Sequence, residues 1–359
     1  MMDDLTKLIK DLTETDGVPG HEREVRVKME KYLQPLCDEL VKDRLGGVLG
    51  KKTGAENGPK ILLAGHLDEV GFMVTHITPK GYLRFIQLGG WWTHNMLSHR
   101  VKVKTRKGEY LGLIGSKAPH ALEKEEREKV MKLKELYIDI GAKDEADAKE
   151  MGVRPGDWIV PDSNFTTMHD GELWVAKALD NRAGCAMAIE VLKRLQTEEH
   201  PNVVYAGATV QEEVGTRGAG TIARLVEPDI AFAVDVGLAY DTPGNESYPM
   251  TCNVGDGPLV MLFDATMIPH TGLRNLVFDT AEELGINIQV DALAGGGTDA
   301  AKFHLSGIGC PSIVVGFATR YIHSHNAIMS KSDFEQAAQL LTAVIKKLDK
   351  ETIQQLIDR

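Results

Sequence analysis

Long apolar runs are missing from this 359-residue chain, and none approaches the ~18 residues that a membrane-spanning helix needs. The start, MMDDLTKLIKDLTET, is too acidic for a signal peptide. Cysteine is also scarce: Cys37, Cys185, Cys252 and Cys310 are isolated and form no C-x-x-C pair. They therefore indicate neither a disulfide framework nor a thiolate metal site. These absences predict a cytoplasmic protein that does not enter a membrane.

Positive charge is in deficit, because 41 Lys and Arg face 52 Asp and Glu, which leaves a net charge of −11. A nucleic-acid-binding protein needs a basic face to neutralise phosphates, so that class is disfavoured. Aromatic residues make up only 6% of the chain and offer few surfaces on which a sugar could stack. The remaining composition, 43% hydrophobic and 26% charged, is typical of a soluble globular protein.

Short apolar runs alternate with amphipathic stretches, which is typical of an α/β protein whose sheet is largely buried. The predicted strands are KILLAG (60–65), VVYAGATV (203–210), IAFAVDV (230–236) and SIVVGFA (312–318). The predicted helices are 3–15, 21–34, 182–196, 273–284 and 333–357. The last of them begins with a capping-box pattern, Ser332-Asp-Phe-Glu335.

The middle of the chain, residues 72–163, has short runs punctuated by turns, which predicts a small β-barrel or sandwich. Its charged stretch 121–135 predicts a solvated helix or a mobile loop. We therefore expect a discontinuous catalytic α/β domain (1–71 and 164–359) with a β-rich insert (72–163).

Metal-ligating residue types follow five of the apolar runs, and functional groups of open α/β sheets gather beyond the carboxyl ends of strands. They are His66, Asp180, the pair Glu212–Glu213, Asp235 and His323. Buried carboxylates need a counter-charge, and Lys and Arg are sparse in these segments. Imidazoles and carboxylates without thiolates favour Zn²⁺, Co²⁺ or Mn²⁺ over Ca²⁺. The set fits two metal ions about 3.5–4 Å apart that share one carboxylate.

Structural alternatives exist for single members of this set. His66 and His323, each taken alone, would be ordinary hydrogen-bonded histidines, and Asp180 could cap the helix near Asn181. Asp235 is harder to explain as structure, because a lone Asp in an apolar strand is costly. The run Gly295–Asp299 could cradle a phosphate, but it lacks the lysine of a P-loop.

Six motifs occur in an order that resembles the tetrahedral (TET) and glutamyl-aminopeptidase family of dinuclear metallo-aminopeptidases. They are AGHLDEVGFMV, ALDNRAG, QEEVGTRGA, AVDVG, GGGTDA and RYIHS. The resemblance covers essentially the whole chain. It implies a zinc-peptidase-type mixed sheet flanked by helices, with an inserted small β-barrel that serves dimerisation. It also implies a homo-oligomer, in which dimers assemble into a tetrahedral dodecamer.

The resemblance further implies a role for each site residue. His66 and Asp235 would bind one metal, Glu213 and His323 the other, and Asp180 would bridge them. Glu212 would be the general base, and Asp68 would hold the free ring nitrogen of His66, although the adjacent Glu69 could exchange parts with it. Substrate would lie near Gly297, Thr298 and Asp299. His325 is left to the loop, because many relatives have proline there.

The predicted function is the hydrolytic release of N-terminal residues from peptides. Two divalent ions would activate the attacking water, and Glu212 would act as its general base. Zn²⁺ or Co²⁺ are the expected ions, with Mn²⁺ as the alternative. A metal-dependent deacylase of N-acyl amino acids is the nearest rival. An endoglucanase-type glycosidase needs two free carboxylates, whereas the acids here are committed to metal. A non-catalytic receptor or scaffold would lack ligands or the base, and none is missing.

Overall fold

The computed structural model describes residues 2–246 and 250–358, and ten α-helices lie within them. In chain order they are α1 (Asp4–Thr13), α2 (Arg23–Leu33), α3 (Lys124–Arg127), α4 (Glu145–Glu150), α5 (Leu179–Arg194), α6 (Arg217–Val226), α7 (Thr271–Leu284), α8 (Ala300–Phe303), α9 (Lys331–Lys347) and α10 (Lys350–Ile357). None of these helices is both long enough and apolar enough to cross a membrane.

The same residues contain seventeen β-strands. They are β1 (Glu39–Lys42), β2 (Val48–Thr53), β3 (Lys60–His66), β4 (Gly71–Ile77), β5 (Leu83–Leu88), β6 (Arg100–Thr105), β7 (Gly108–Gly115), β8 (Tyr137–Asp139), β9 (Trp158–Pro161), β10 (Thr166–Met168), β11 (Leu173–Ala176), β12 (Val203–Thr209), β13 (Ile230–Leu238), β14 (Leu259–Asp264), β15 (Gln289–Leu293), β16 (Ser312–Arg320) and β17 (Ala327–Ser330).

Eleven strands form one mixed sheet in the order β1-β2-β12-β3-β13-β16-β17-β11-β10, with β14 paired to β16 and β15 paired to β14. Its centre, β12-β3-β13-β16, is parallel. The other six strands close into an antiparallel barrel, β4-β5-β8-β7-β6-β9. The predicted fold class, a mixed α/β sheet with an inserted β-barrel, is thereby confirmed. The exact domain boundaries stay a prediction.

Helices cover both faces of the sheet, which explains why its central strands are almost continuously apolar. Ile61 and Leu63 of β3 face the core that α1, α5, α7 and α9 complete, whereas Leu62 and Ala64 face α6 and α8. A separate apolar cluster fills the barrel. The centre of the sheet therefore has a hydrophobic layer on each side.

The C-terminal helix prediction was wrong in two details. The expected single helix 333–357 is divided into α9 and α10, because Leu348 leaves the helical conformation and Asp349 caps a new helix. Ser330, rather than Ser332, caps α9: its side chain accepts a hydrogen bond from the backbone N–H of Asp333. The Ser332 capping box therefore does not form, and the helix begins two residues earlier than a cap at 332 requires.

Candidate functional site

The predicted site residues lie along one edge of the sheet. β3, β12, β13 and β16 are parallel, and β11 runs in their direction because both it and β16 are antiparallel to β17. Their carboxyl ends therefore meet at the same edge. His66 ends β3, Glu212–Glu213 and His323 follow β12 and β16, and Asp180 follows β11 in the first turn of α5. Asp235 differs slightly, since it lies inside β13.

Asp180 lies at the centre of the cluster, with one carboxylate oxygen toward each imidazole. Its Oδ1 is 3.2 Å from His66 Nε2, and its Oδ2 is 3.3 Å from His323 Nε2. His66 Nε2 is also 4.0 Å from Asp235 Oδ1, and His323 Nε2 is 3.3 Å from Glu213 Oε2. The cluster thus consists of two pairs, His66 with Asp235 and His323 with Glu213, and Asp180 lies between them.

Glycine permits the close approach that brings Asp180 here. A Cβ on Gly65, the residue before His66, would lie 2.6 Å from the backbone carbon of Gly184 in α5. Any side chain at that position would push α5 away from the end of β3. The pair of glycines therefore places the start of α5 directly against the strand that carries His66.

A cavity of about 630 Å³ opens onto the cluster. His66, Asp180, Glu212, Glu213, Asp235 and His323 all line it, and so do Gly297 and Thr298 of the expected substrate turn. Asp299, the third residue of that turn, is buried behind the wall, where it accepts a hydrogen bond from the Thr209 hydroxyl. Its side chain is thus in contact with the protein interior, and it does not line the cavity as Gly297 and Thr298 do.

Burial disfavours the ionised forms of the acids in the cluster. Burial, with the charge of Asp180, raises the pKa of Glu213 to about 8. Burial also raises the pKa of Asp235 to about 8, and that of Glu212 well above its usual range. Burial opposes the charge on Asp180 too, but the hydrogen bonds with His323 and His66 outweigh it and hold its pKa below its usual range. A further cation close to these acids would stabilise their ionised forms.

Two buried cations lie beside the cluster but are bound elsewhere. Lys177 Nζ is 2.6 Å from Glu69 Oε1 and 3.2 Å from Asp16 Oδ1. Arg182 donates to the backbone carbonyls of Leu67 and Thr15, both at 2.6 Å, and lies 3.3 Å from Glu69. Among residues 2–246 and 250–358, no Lys or Arg forms an ion pair with the clustered acids. Sequence reasoning gave neither cation a role.

Asp68 acts differently from the expectation. The His66 Nδ1–H donates to the backbone carbonyl of Asp68 at 2.9 Å, whereas the Asp68 carboxylate is 3.6 Å from the same nitrogen. That carboxylate instead accepts the backbone N–H groups of Glu212 and Glu213, at 3.0 and 3.1 Å. Asp68 thus orients His66 through its main chain and both glutamates through its side chain. Glu69, the alternative, belongs to the Lys177–Arg182 network.

The loop that carries His323 is held by a residue to which the sequence assigned no role. His323 has a left-handed φ of 54°, which is uncommon for a non-glycine residue and requires support from its surroundings. His325, two residues on, donates from Nε2 to the carbonyl of Arg100 at 3.1 Å and stacks on His99 at 3.9 Å between ring centroids. The loop is thereby fixed to the barrel. No local sequence signal distinguishes this contact.

The residues present fit divalent metal ions. One atom each of His66, Asp180 and Glu213 lies within 4.8 Å of the others, a spacing that a single ion can span. Glu213 Oε1 is buried and has no hydrogen-bond partner among the described residues. With Nδ1 of His66 occupied by a carbonyl, its Nε2 faces the acids of the cluster, which is the orientation that metal-binding histidines use. A divalent ion held there would supply positive charge that no Lys or Arg of the described residues provides.

Comparison with known proteins places this chain among aminopeptidases. The model of the M42 glutamyl aminopeptidase family matches residues 46–340. A putative aminopeptidase of Escherichia coli (strain K12) is 38% identical over 349 residues, which is 97% of this chain and 96% of that protein.

Solved structures agree with this result. The TET aminopeptidase of the archaeon Thaumarchaeota archaeon SCGC AB-539-E09 superimposes with a TM-score of 0.96 at 44% identity, over 99% of this chain and 100% of that one. The TET1 peptidase of Pyrococcus horikoshii, which can assemble into a tetrahedron or a large octahedral shell, gives 0.85 at 30% identity, over 96% and 100%.

Proposed function

Since this chain belongs to the M42 glutamyl aminopeptidase family and is an aminopeptidase, we propose that it releases N-terminal residues from peptides with two divalent metal ions. The observation that carries the proposal is the position of Asp180, with one oxygen toward each imidazole. A carboxylate shared in this way is what a two-metal site requires. His66 and Asp235 would hold one ion, and His323 and Glu213 the other, with Asp180 between them.

Glu212 is the general base of the proposed reaction. Bound divalent ions would lower the pKa of a water and polarise the scissile carbonyl. Glu212 accepts the proton that the attacking water loses and delivers it to the departing amine. Its Oε2 is 3.8 Å from His66 Nε2, so Glu212 borders the cluster, and the proposed ligand set does not include it. The backbone N–H of Glu212 donates to the Asp68 carboxylate, and this contact holds Glu212 in place.

Deacylation of N-acyl amino acids is the rival within this chemistry, and the charge of the substrate's amino end separates the two. The acidic cavity favours a free amino terminus, which can be cationic and donates hydrogen bonds that an acetylated one cannot. We expect a peptide with a free amino terminus to be cleaved about 10- to 100-fold faster than its acetylated form, the value of one charge-assisted contact. Steady-state kcat/KM of the two peptides measures this. Preferential cleavage of the acetylated peptide would establish the deacylase instead.

Self-assembly through the barrel is the second part of the proposal. Trp92, Leu111 and Leu113 are 57%, 52% and 48% exposed on the barrel, so apolar surface faces outward there, and Trp91 packs inward on Phe72. Exposed apolar surface of this kind marks contact sites. Light scattering should therefore give a particle many times the chain mass of 39.4 kDa. A monomer at working concentrations would contradict the assembly but leave the chemistry untouched.

A further inference from the structure

Part of the cavity wall comes from the ends of β14 and β15 and from helix α8. The cavity lining includes Leu238, Met261, Leu293 and Ala301, all apolar. Two buried polar side chains, Asp264 and Thr298, also line it. A largely apolar wall with a few polar groups is typical of a pocket that recognises one side chain. We call these six residues the side-chain pocket.

Asp264 is one of two groups in this pocket whose hydrogen bonding is incomplete among the described residues. It ends β14 and is 1% exposed. Its Oδ1 accepts three hydrogen bonds, from the backbone N–H of Thr266 at 2.7 Å, the Thr266 hydroxyl at 2.6 Å and the N–H of Met267 at 2.8 Å. Its Oδ2 is buried and has no partner among the described residues. The hydroxyl of Thr298 is buried and without a partner in the same way.

The difference between the two oxygens of Asp264 indicates which chemical group a ligand of this pocket would carry. Three donors already contact Oδ1, whereas a buried Oδ2 without a donor is costly. A donor that enters from the cavity would remove the cost, and a cationic donor would gain most from it. The apolar walls in turn match a chain of methylene groups, which Lys and Arg carry between the backbone and the charge.

We propose that the side-chain pocket selects substrates whose N-terminal residue is Lys or Arg, with the cationic end bound to Asp264. The inference rests on the aminopeptidase activity proposed above and specifies its substrate class. The methylene groups contact Met261 and Leu293, and the hydroxyl of Thr298 accepts a second hydrogen bond from the cation.

Lys302 is the one feature of the pocket that favours an acidic side chain instead. It lies on α8 and lines the same cavity, but it is exposed and forms no ion pair with any described residue. An exposed ammonium is strongly hydrated and its pairing is worth little, whereas a buried carboxylate has already lost its water. The buried acid therefore decides the preference. Substitution of Lys302 also serves as a control, because it removes a charge of opposite sign from the same cavity.

Three aminoacyl-anilides test the inference: those of lysine, norleucine and glutamate. Norleucine keeps the four-carbon stem of lysine and lacks the ammonium, so the ratio of their kcat/KM values isolates the contribution of the charge. We expect lysine to exceed norleucine by about 10- to 100-fold in the wild type. Asp264→Asn should lower the lysine rate and bring the ratio close to one, because the amide keeps the contacts with Thr266 and Met267 but carries no charge. Lys302→Gln should keep the ratio.

The norleucine rate reports whether each variant is folded and active. A lysine preference that survives Asp264→Asn, or a wild type that does not distinguish lysine from norleucine, would overturn the pocket assignment and leave the aminopeptidase proposal standing. A glutamate preference that Lys302→Gln abolishes would assign the pocket to acidic residues. Absence of hydrolysis of all three anilides by metal-loaded protein would overturn the proposed function as well.

Discussion

Replacing Glu212 by Gln is expected to lower kcat by roughly 10²–10⁴, the usual contribution of a positioned general base. Glutamine keeps the size and polarity of the side chain but cannot accept the proton. Both metal ions should stay bound, because the proposed ligand set does not include the Glu212 carboxylate, which borders the cluster 3.8 Å from His66 Nε2. Calorimetric metal titration together with kcat on the same preparation measures the two effects separately.

Glu213→Gln is the matched control, because it makes the same chemical change one residue away. Glu213 Oε2 is 3.3 Å from His323 Nε2, and Oε1 is buried without a partner among the described residues. An amide in place of this carboxylate should weaken metal binding, and excess metal should recover part of the rate. If Glu212→Gln loses a metal while Glu213→Gln binds both normally, the two roles are reversed. If neither variant changes rate or metal content, the site itself is wrong.

Removal of metal by a chelator should abolish activity, and Zn²⁺, Co²⁺ or Mn²⁺ should restore it. The acids of the cluster have no Lys or Arg partner among the described residues, and burial raises the pKa of Glu213 and Asp235 to about 8. Without metal these side chains can neither activate water nor polarise a carbonyl. Elemental analysis before and after chelation should show two ions per chain lost with the activity and regained with it.

The Glu212→Gln variant serves as the control for this experiment, since it should bind both ions and remain slow. It distinguishes loss of metal from loss of the base. Full activity in wild-type protein that elemental analysis shows to be metal-free would refute the metal-dependent mechanism. Recovery of activity with one ion per chain would instead exclude a two-metal site in which Asp180 is shared.

The residues that meet at the sheet edge were predictable from the sequence alone. Apolar runs too continuous for a half-exposed sheet indicate parallel strands buried on both faces, and parallel strands bring their carboxyl ends together. His66 and Glu212–Glu213 follow such runs directly, so their proximity follows from strand direction without any knowledge of contacts. The barrel was likewise predictable from the short, turn-punctuated strands of the insert.

Only the tertiary structure decided which atoms of these residues are used. Asp68 and Glu69 are adjacent and chemically alike, yet one holds the glutamate loop and the other holds Lys177 and Arg182. The contact of His325 with Arg100 joins segments that are distant in the chain. The incomplete hydrogen bonding of Asp264 depends on how the surrounding loops pack. Pattern and period determine which face or edge a residue occupies. Hydrogen-bond partners depend on distances of a few tenths of an ångström between loops, and these are set by packing across the whole fold.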